Sequence, residues 1–459
     1  MKAILINFLV KDDLALIHYL LPNCRQLGSP FTPSPLLITP YFCIFAMANN
    51  KRFKLILVLG MITAIGPFSI DMYLPAFANI AEHMNTTVAH VSLSLSSFFI
   101  GISFGQFIYG PLLDRFGRKK PLYVGLCIYM LTSAVCVFAQ SADMLIVMRF
   151  LQALGSCAGM VAARAMIRDL FSVKDNAKVL SKLMLVIAVS PIIAPTLGGF
   201  VTSAFGWQSV FVILTIMAVI ILLAVLYFLQ ETQKPDPSYS LKPRAIIKGY
   251  RAVLKEPQFY TYAFAGAAAA AGLYAYIAGS PTVFLELFKV SEKEYGLIFA
   301  LIAGGLITAS QINSLLLKKY NSEQIIPVAL FIQCLAGIGF FAWSLLGDIS
   351  LFGTISLLLL YLSCQGFIFP NSSALSMAPF TKNAGSASAL MGGVQMAVGA
   401  FTSVLVSYFS NGTSLPMAAV MACCAITSFL ILQVGTKIIR YKASKTLVEE
   451  ECVDMIGNS

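Results

Sequence analysis

Two ionisable side chains stand where such groups are rare. Asp71, in Ser69-Ile-Asp71-Met-Tyr73-Leu-Pro75-Ala, and Arg149, in Arg149-Phe-Leu-Gln152-Ala-Leu-Gly155, both fall inside long apolar runs. A charge at bilayer depth is costly and normally faces a cavity or a partner, so it marks function. Each lies about seven residues from one end of its run, a depth of roughly 10 Å at about 1.5 Å per residue. Equal depth predicts that the two face each other, with Tyr73 and Gln152 beside them. An apolar site disfavours an ionised carboxyl and a nearby arginine favours it. Asp71 is therefore a candidate for a group that answers to both protons and substrate, and a permanent structural ion pair is the alternative. No other carboxylate lies so deep in an apolar run, and the second half of the chain has none.

Other chemistry is weakly represented. Gly101-Ile-Ser103-Phe-Gly105 matches a nucleophile-elbow pattern, but that motif needs a strand-turn-helix setting. Here it sits in the middle of an apolar run, and His18, His83 and His90 are not at matching depth. Small-residue helix contact is the better reading. The ten cysteines include no Cys-x-x-Cys pair, and a free cysteine in an apolar run behaves as a small hydrophobe. No metal site, disulfide framework or organic cofactor is expected.

The elements that hold these residues are membrane helices. The chain is 58% hydrophobic and 11% charged, with a mean hydropathy of +0.82, against about 25% charged residues in soluble domains. Twelve spans are predicted, near 53–78, 88–113, 121–139, 142–166, 178–203, 207–229, 258–284, 294–317, 325–346, 350–376, 384–409 and 415–438. The turn Gly110-Pro-Leu-Leu-Asp114-Arg115-Phe-Gly117-Arg118-Lys119-Lys120 joins the second and third, and four of its residues are cationic. Cationic loops stay on the cytoplasmic side. Counting Lys and Arg loop by loop leaves only Lys289 and Lys293 on the opposite face, so both termini are expected to be cytoplasmic. Positive-inside topology accounts for the net charge of +11, and no nucleic-acid partner is expected.

The expected domains are an extension, 1–50, upstream of the true start or disordered, then a six-helix bundle, 51–229. A cytoplasmic linker, 230–257, precedes a second six-helix bundle, 258–440, and a tail, 441–459. Within the linker, Leu241–Leu254 spaces Ile246, Ile247, Tyr250, Val253 and Leu254 as one apolar face among Lys and Arg. That predicts an interfacial helix on the inner leaflet. Asn313–Tyr320 is a worn copy of the Gly110 turn, as parallel-repeat transporters have.

The fifth span carries Pro191-Ile-Ile-Ala194-Pro195-Thr-Leu-Gly198-Gly199. Prolines free carbonyls and glycines remove bulk, so this face bends and admits a close neighbour. In the second half Tyr274, Tyr276, Gln311, Asn371 and Gln395 are candidates to line a cavity, or else are satisfied between helices. Ala267–Ala271 signals close helix contact.

The Gly110 turn resembles the loop between helices 2 and 3 of the major facilitator superfamily, and the Pro191 run resembles its antiporter motif, with Ala194 in place of glycine. With Asp71-Met-Tyr-Leu-Pro-Ala, Arg149-Phe-Leu-Gln-Ala-Leu-Gly, Arg164-Ala-Met-Ile-Arg168-Asp169-Leu-Phe, Gly206-Trp207 and Gly279-Ser-Pro281, about residues 51–440 are similar to the bicyclomycin/chloramphenicol-resistance (Bcr/CflA) drug:proton antiporters. The resemblance implies an all-α, twelve-helix fold with alternating access and export driven by inward proton flow. It implies that Asp71 and Arg149 are the coupling and substrate-site pair. It also implies a latch of Gly110, Asp114, Arg115, Gly117, Arg118 and Asp169 that holds the outward-facing state.

The function expected is proton-coupled efflux of drugs or other amphipathic molecules by a monomer in the bacterial cytoplasmic membrane. A proton-coupled transporter of one metabolite, exporter or importer, is the nearest alternative. A channel or a membrane-embedded enzyme is more remote.

Overall fold

A computed structural model of the chain describes residues 54–170, 173–236, 243–347, 349–380 and 384–457. The chain divides into two units, Met1–Lys54 and Leu55–Ser459. The expectation for 1–50 lies outside the described residues.

Every regular element among the described residues is a helix. They are α1 (54–71), α2 (Phe77–His83), α3 (Val88–Phe116), α4 (Lys119–Cys136), α5 (Ala142–Leu170), α6 (Val173–Phe205) and α7 (Gln208–Phe228). After these come α8 (Pro243–Leu254), α9 (Pro257–Pro281), α10 (Glu292–Leu316), α11 (Ser322–Leu346), α12 (Leu351–Met377), α13 (Ala384–Tyr408) and α14 (Leu415–Gly457). Ten helical stretches are long and apolar enough to cross a membrane. Two expected spans fall outside that set. Residues 121–139 form α4, an 18-residue helix that begins with Lys119 and Lys120, and 178–203 lies in α6, where the described apolar part is Val189–Phe205. Large apolar side chains at helix ends are exposed, among them Phe138, Phe205, Tyr227, Phe352 and Tyr408, as a membrane-facing surface with interfacial aromatics requires.

Local chemistry sets the helix ends. Thr87 caps α3 by accepting from the His90 amide at 3.2 Å. Ser291 and Glu294 form a reciprocal capping box at α10. Gly117 ends α3 with φ 83°, a conformation that costs a side-chain-bearing residue roughly 1–2 kcal/mol.

Small residues let the helices approach. A Cβ at Gly101 would lie 2.6 Å from the Phe150 carbonyl oxygen and 2.7 Å from the Ala153 Cβ, and one at Gly105 would lie 2.6 Å from the Cys157 Cβ. Gly101 and Gly105 thus form the seam between α3 and α5, while Ser103 between them donates to the Gly393 carbonyl of α13 at 3.0 Å. The alanine run of α9 is buried, and Ser428 of α14 donates to the Ala265 carbonyl at 2.7 Å. Close contact explains both sequences.

One expectation about shape needs correction. The first span runs to His83, past the 53–78 expected, because Pro75 opens a 3₁₀ turn, Leu74–Ala76, that re-enters helix. Residues 441–457 of the expected tail are helical and continuous with α14. The linker helix α8 forms, but it is not simply laid on a surface. Val253 is buried beside Phe259, Ala387 and Leu390, and the Tyr250 ring meets Phe107 of α3 at 5.7 Å. Ile247 and Leu254 remain exposed.

Candidate functional site

Asp71 is the last residue of α1, three residues before the 3₁₀ turn begins at Leu74. Its position is fixed by neighbours that come within backbone range. Any Cβ at Gly198 of α6 would collide with the Met72 carbonyl. Asp71 is 5% exposed, and its charge is near enough to act on Tyr274 and Tyr276 of α9 and Tyr295 of α10. Tyr295 shares a 2.8 Å hydrogen bond with Ser280, whereas the Tyr276 hydroxyl is buried with no hydrogen-bond partner among the described residues.

Arg149 does not pair with Asp71, contrary to the expectation. Its Nη2 donates to the Ser69 carbonyl at 2.7 Å and its Nη1 to Gln152 Oε1 at 2.5 Å. Gln152 in turn donates to Ser133 at 2.6 Å. The guanidinium carbon lies 4.2 Å from the Phe98 ring centre and 4.7 Å from that of Tyr73, so two π-faces stand where a carboxylate was expected. Tyr73 is held in place by a 3.0 Å hydrogen bond with Ser94. The equal-depth argument fails because α1 breaks at Asp71 and the chain re-enters helix. Arg149 meets the backbone before the break, while Asp71 looks towards the second half. Tyr73 and Gln152 position the arginine.

At the Arg118 end the charged residues do converge. Arg118 is 1% exposed and donates from Nη1 to Asp114 at 2.7 Å and from Nε to Asp169 at 2.8 Å. Burial works against its charge, but the hydrogen bonds and negative charges of Asp169 and Asp114 outweigh it and hold its pKa above the ordinary value. The start of the linker completes the cluster. Glu231 accepts from the amides of Arg118 (2.7 Å) and Lys119 (3.2 Å), Thr232 donates to Asp169 at 3.0 Å, and Gln233 accepts from Arg118. A Cβ at Gly117 would lie 3.0 Å from Glu231 Oε2. Glu231, Thr232 and Gln233 were missed in the sequence, and only Gly117 signalled that something approaches closely there. The Arg115 guanidinium lies 5.9 Å from the Phe116 ring centre. Gly110 has open space around it, so nothing packs against it here.

The antiporter-like run divides its contacts. Gly198 meets the backbone at the Asp71 break and Gly199 that of Glu292, while a Cβ at Gly296 would lie 2.9 Å from the Pro195 carbonyl oxygen. Ala194 is fully buried and Pro191 half-buried.

The second-half candidates separate. Tyr274 is buried against Phe99 at 4.8 Å, and both it and Tyr276 lie within reach of Asp71. Asn371 is not a lining residue. It donates to Asn313 at 2.7 Å and to the Phe367 carbonyl at 2.8 Å, and accepts from Ser322 at 2.7 Å. That amide cluster stands in the second half where Asp114, Arg118 and Asp169 stand in the first. Gln311 is exposed and Gln395 half-buried, and neither joins the Asp71 site. No metal-binding group occurs among the described residues.

Comparison with known proteins adds the wider context. The chain matches the Major Facilitator Superfamily over residues 59–404. It is 30% identical over 382 residues to a bicyclomycin resistance protein homolog of Haemophilus influenzae, covering 83% of this chain and 96% of the relative. It is 29% identical over 372 residues to multidrug resistance protein MdtL of Escherichia fergusonii, covering 81% and 92%. Among solved structures it is similar to a bacterial homolog of the human lysosomal transporter Spinster, with a TM-score of 0.63 at 16% identity, covering 84% and 95%.

Proposed function

The chain belongs to the Major Facilitator Superfamily, a family of multi-pass membrane transporters, and we propose that it exports amphipathic small molecules, drugs included, in exchange for protons. The names of its relatives support the cargo. The observation that carries the coupling is Asp71: a buried carboxylate at a helix break, with no hydrogen bond or ion pair among the described residues. A neutral carboxylic acid is tolerated there far better than a carboxylate. Proton binding from the outer side and release to the cytoplasm fit a group that faces the second-half tyrosines. A cationic or amphipathic substrate, arriving beside Asp71, favours the ionised form and expels the proton.

Arg149 does its part without a salt bridge. By donating to the Ser69 carbonyl two residues before Asp71, it holds the end of α1. The Arg118 cluster ties the inner ends of α3 and α5 to the linker. We place both termini and the Arg118 end in the cytoplasm of a bacterial inner membrane, from the charge asymmetry of the loops. The protein works as a monomer with the proton gradient as its energy source. Inside-out vesicles energised by respiration test the proposal. Addition of lipophilic drugs should collapse an acid-interior gradient only in vesicles that contain the protein. A panel of drugs and amphipathic metabolites that moves no protons contradicts it.

A further inference from the structure

A second arginine, unused in the account above, lies on the same face of α5 as the first. Arg149, Gln152, Ser156, Met160 and Arg164 recur every three or four residues and form one stripe. Arg164 is thus about 22 Å from Arg149 along the helix, near its Arg118 end. It donates from Nε to the Met160 carbonyl at 3.2 Å and from Nη2 to Gln106 Oε1 at 3.2 Å. Both acceptors are neutral, and no carboxylate lies within ion-pairing distance among the described residues. Asp114 and Asp169, the acids at this end of the stripe, are bound to Arg118. Nη1 has no acceptor among the described residues. Gln106 is buried, and a Cβ at Gly392 of α13 would lie 3.3 Å from its Oε1. The site is therefore where α3 and α5 meet the second half. At the other end of the stripe Arg149 is fully buried and faces aromatic rings, but Arg164 is only half-buried, so part of its side chain is open to solvent.

A guanidinium largely out of water and without a counter-charge is costly, and its planar fork suits a bidentate oxyanion. We propose that Arg164, oriented by Gln106, is an anion-accepting subsite at the cytoplasmic mouth, and that the exported cargo includes amphipathic carboxylates. This rests on the export reading and adds a substrate class to it.

The test measures affinity in neutral-lipid nanodiscs for two fluorescent probes that differ in one group, an aryl carboxylate and its primary amide. In Arg164→Gln the ratio of carboxylate to amide affinity should fall about tenfold or more, with Arg164→Lys retaining part of it. Gln106→Glu, which offers the arginine a tethered carboxylate, should depress the same ratio and serves if Arg164→Gln does not fold. An unchanged ratio in both variants overturns the subsite. Wild-type protein that expels protons in response to the amide but does not bind the carboxylate overturns it too, and leaves the export reading standing. Adding anionic lipid to the discs separates the sources of the anion. Competition by that lipid confined to the Arg164 form overturns the substrate assignment in favour of a headgroup.

Discussion

Asp71 owes its isolation to a backbone event three residues downstream. The 3₁₀ turn that begins at Leu74 leaves Asp71 beside the last carbonyls of α1, an end that opposes negative charge. Arg149 has been placed one helical face away, where Ser69, Gln152, Phe98 and Tyr73 occupy it. The Arg149–Gln152 contact was legible in the sequence, because residues three apart on a helix are neighbours. Tyr73 beside the arginine was legible as well, but the Phe98 ring was not, since it comes from α3. This geometry makes a prediction about the arginine. Lysine keeps the charge but lacks the planar fork whose two nitrogens serve Ser69 and Gln152 separately, so Arg149→Lys should slow drug-induced proton release by roughly tenfold while keeping some activity. Arg149→Met should abolish it. Wild-type rates in the lysine variant would mean that the fork is not used.

The α3–α4 turn shows how far a motif can be read and where reading stops. Asp114 and Arg118 are four apart and on one face, so their pairing follows from spacing, and Asp169 follows from the expected end of the fourth span. Glu231 lies more than a hundred residues away, in a stretch with no periodicity. It is needed because Gly117 ends α3 and leaves the first amides of α4 without acceptors, a need every helix start has. Asp114→Asn and Glu231→Gln should each lower the transport rate about tenfold, the equivalent of a charge-assisted hydrogen bond at about 1.5 kcal/mol. Drug affinity should stay within about threefold, since neither residue touches the Asp71 site. Rate measurements in proteoliposomes check both, and normal rates would reduce the cluster to a topology signal. The linker helix was legible in its period, but an apolar face does not say which part of it protein covers, here Val253 and Tyr250 beside Ala387 and Phe107.

Across the whole molecule, the two halves meet far from the Arg118 end through small polar residues. Ser96 and Ser403 share a 2.6 Å hydrogen bond, Ser407 donates to Ser92 at 2.9 Å, and Ser92 donates to the Ala278 carbonyl at 3.1 Å. Gly199 and Gly296 bring α6 and α10 together at the same end. In this state the far end is closed by contacts that water can replace one for one, as a gate that opens in every cycle requires. No single helix carried that signal, since it exists only between chains of serines three hundred residues apart. Cysteines in place of Ser96 and Ser403, in a chain whose native cysteines are replaced, should form a disulfide that stops export, with recovery on reduction. Transport that continues through the cross-link would exclude opening at this face.

The central claim is that Asp71 is the proton carrier, and the most direct measurement is drug-induced proton release by purified protein in weakly buffered solution. Wild-type protein should acidify the medium when drug binds, with a yield that falls as the pH is lowered into the range where the drug can no longer displace the proton. Asp71→Asn should bind neutral drugs and release no protons. Proton release from Asp71→Asn equal to that of the wild type would contradict the account.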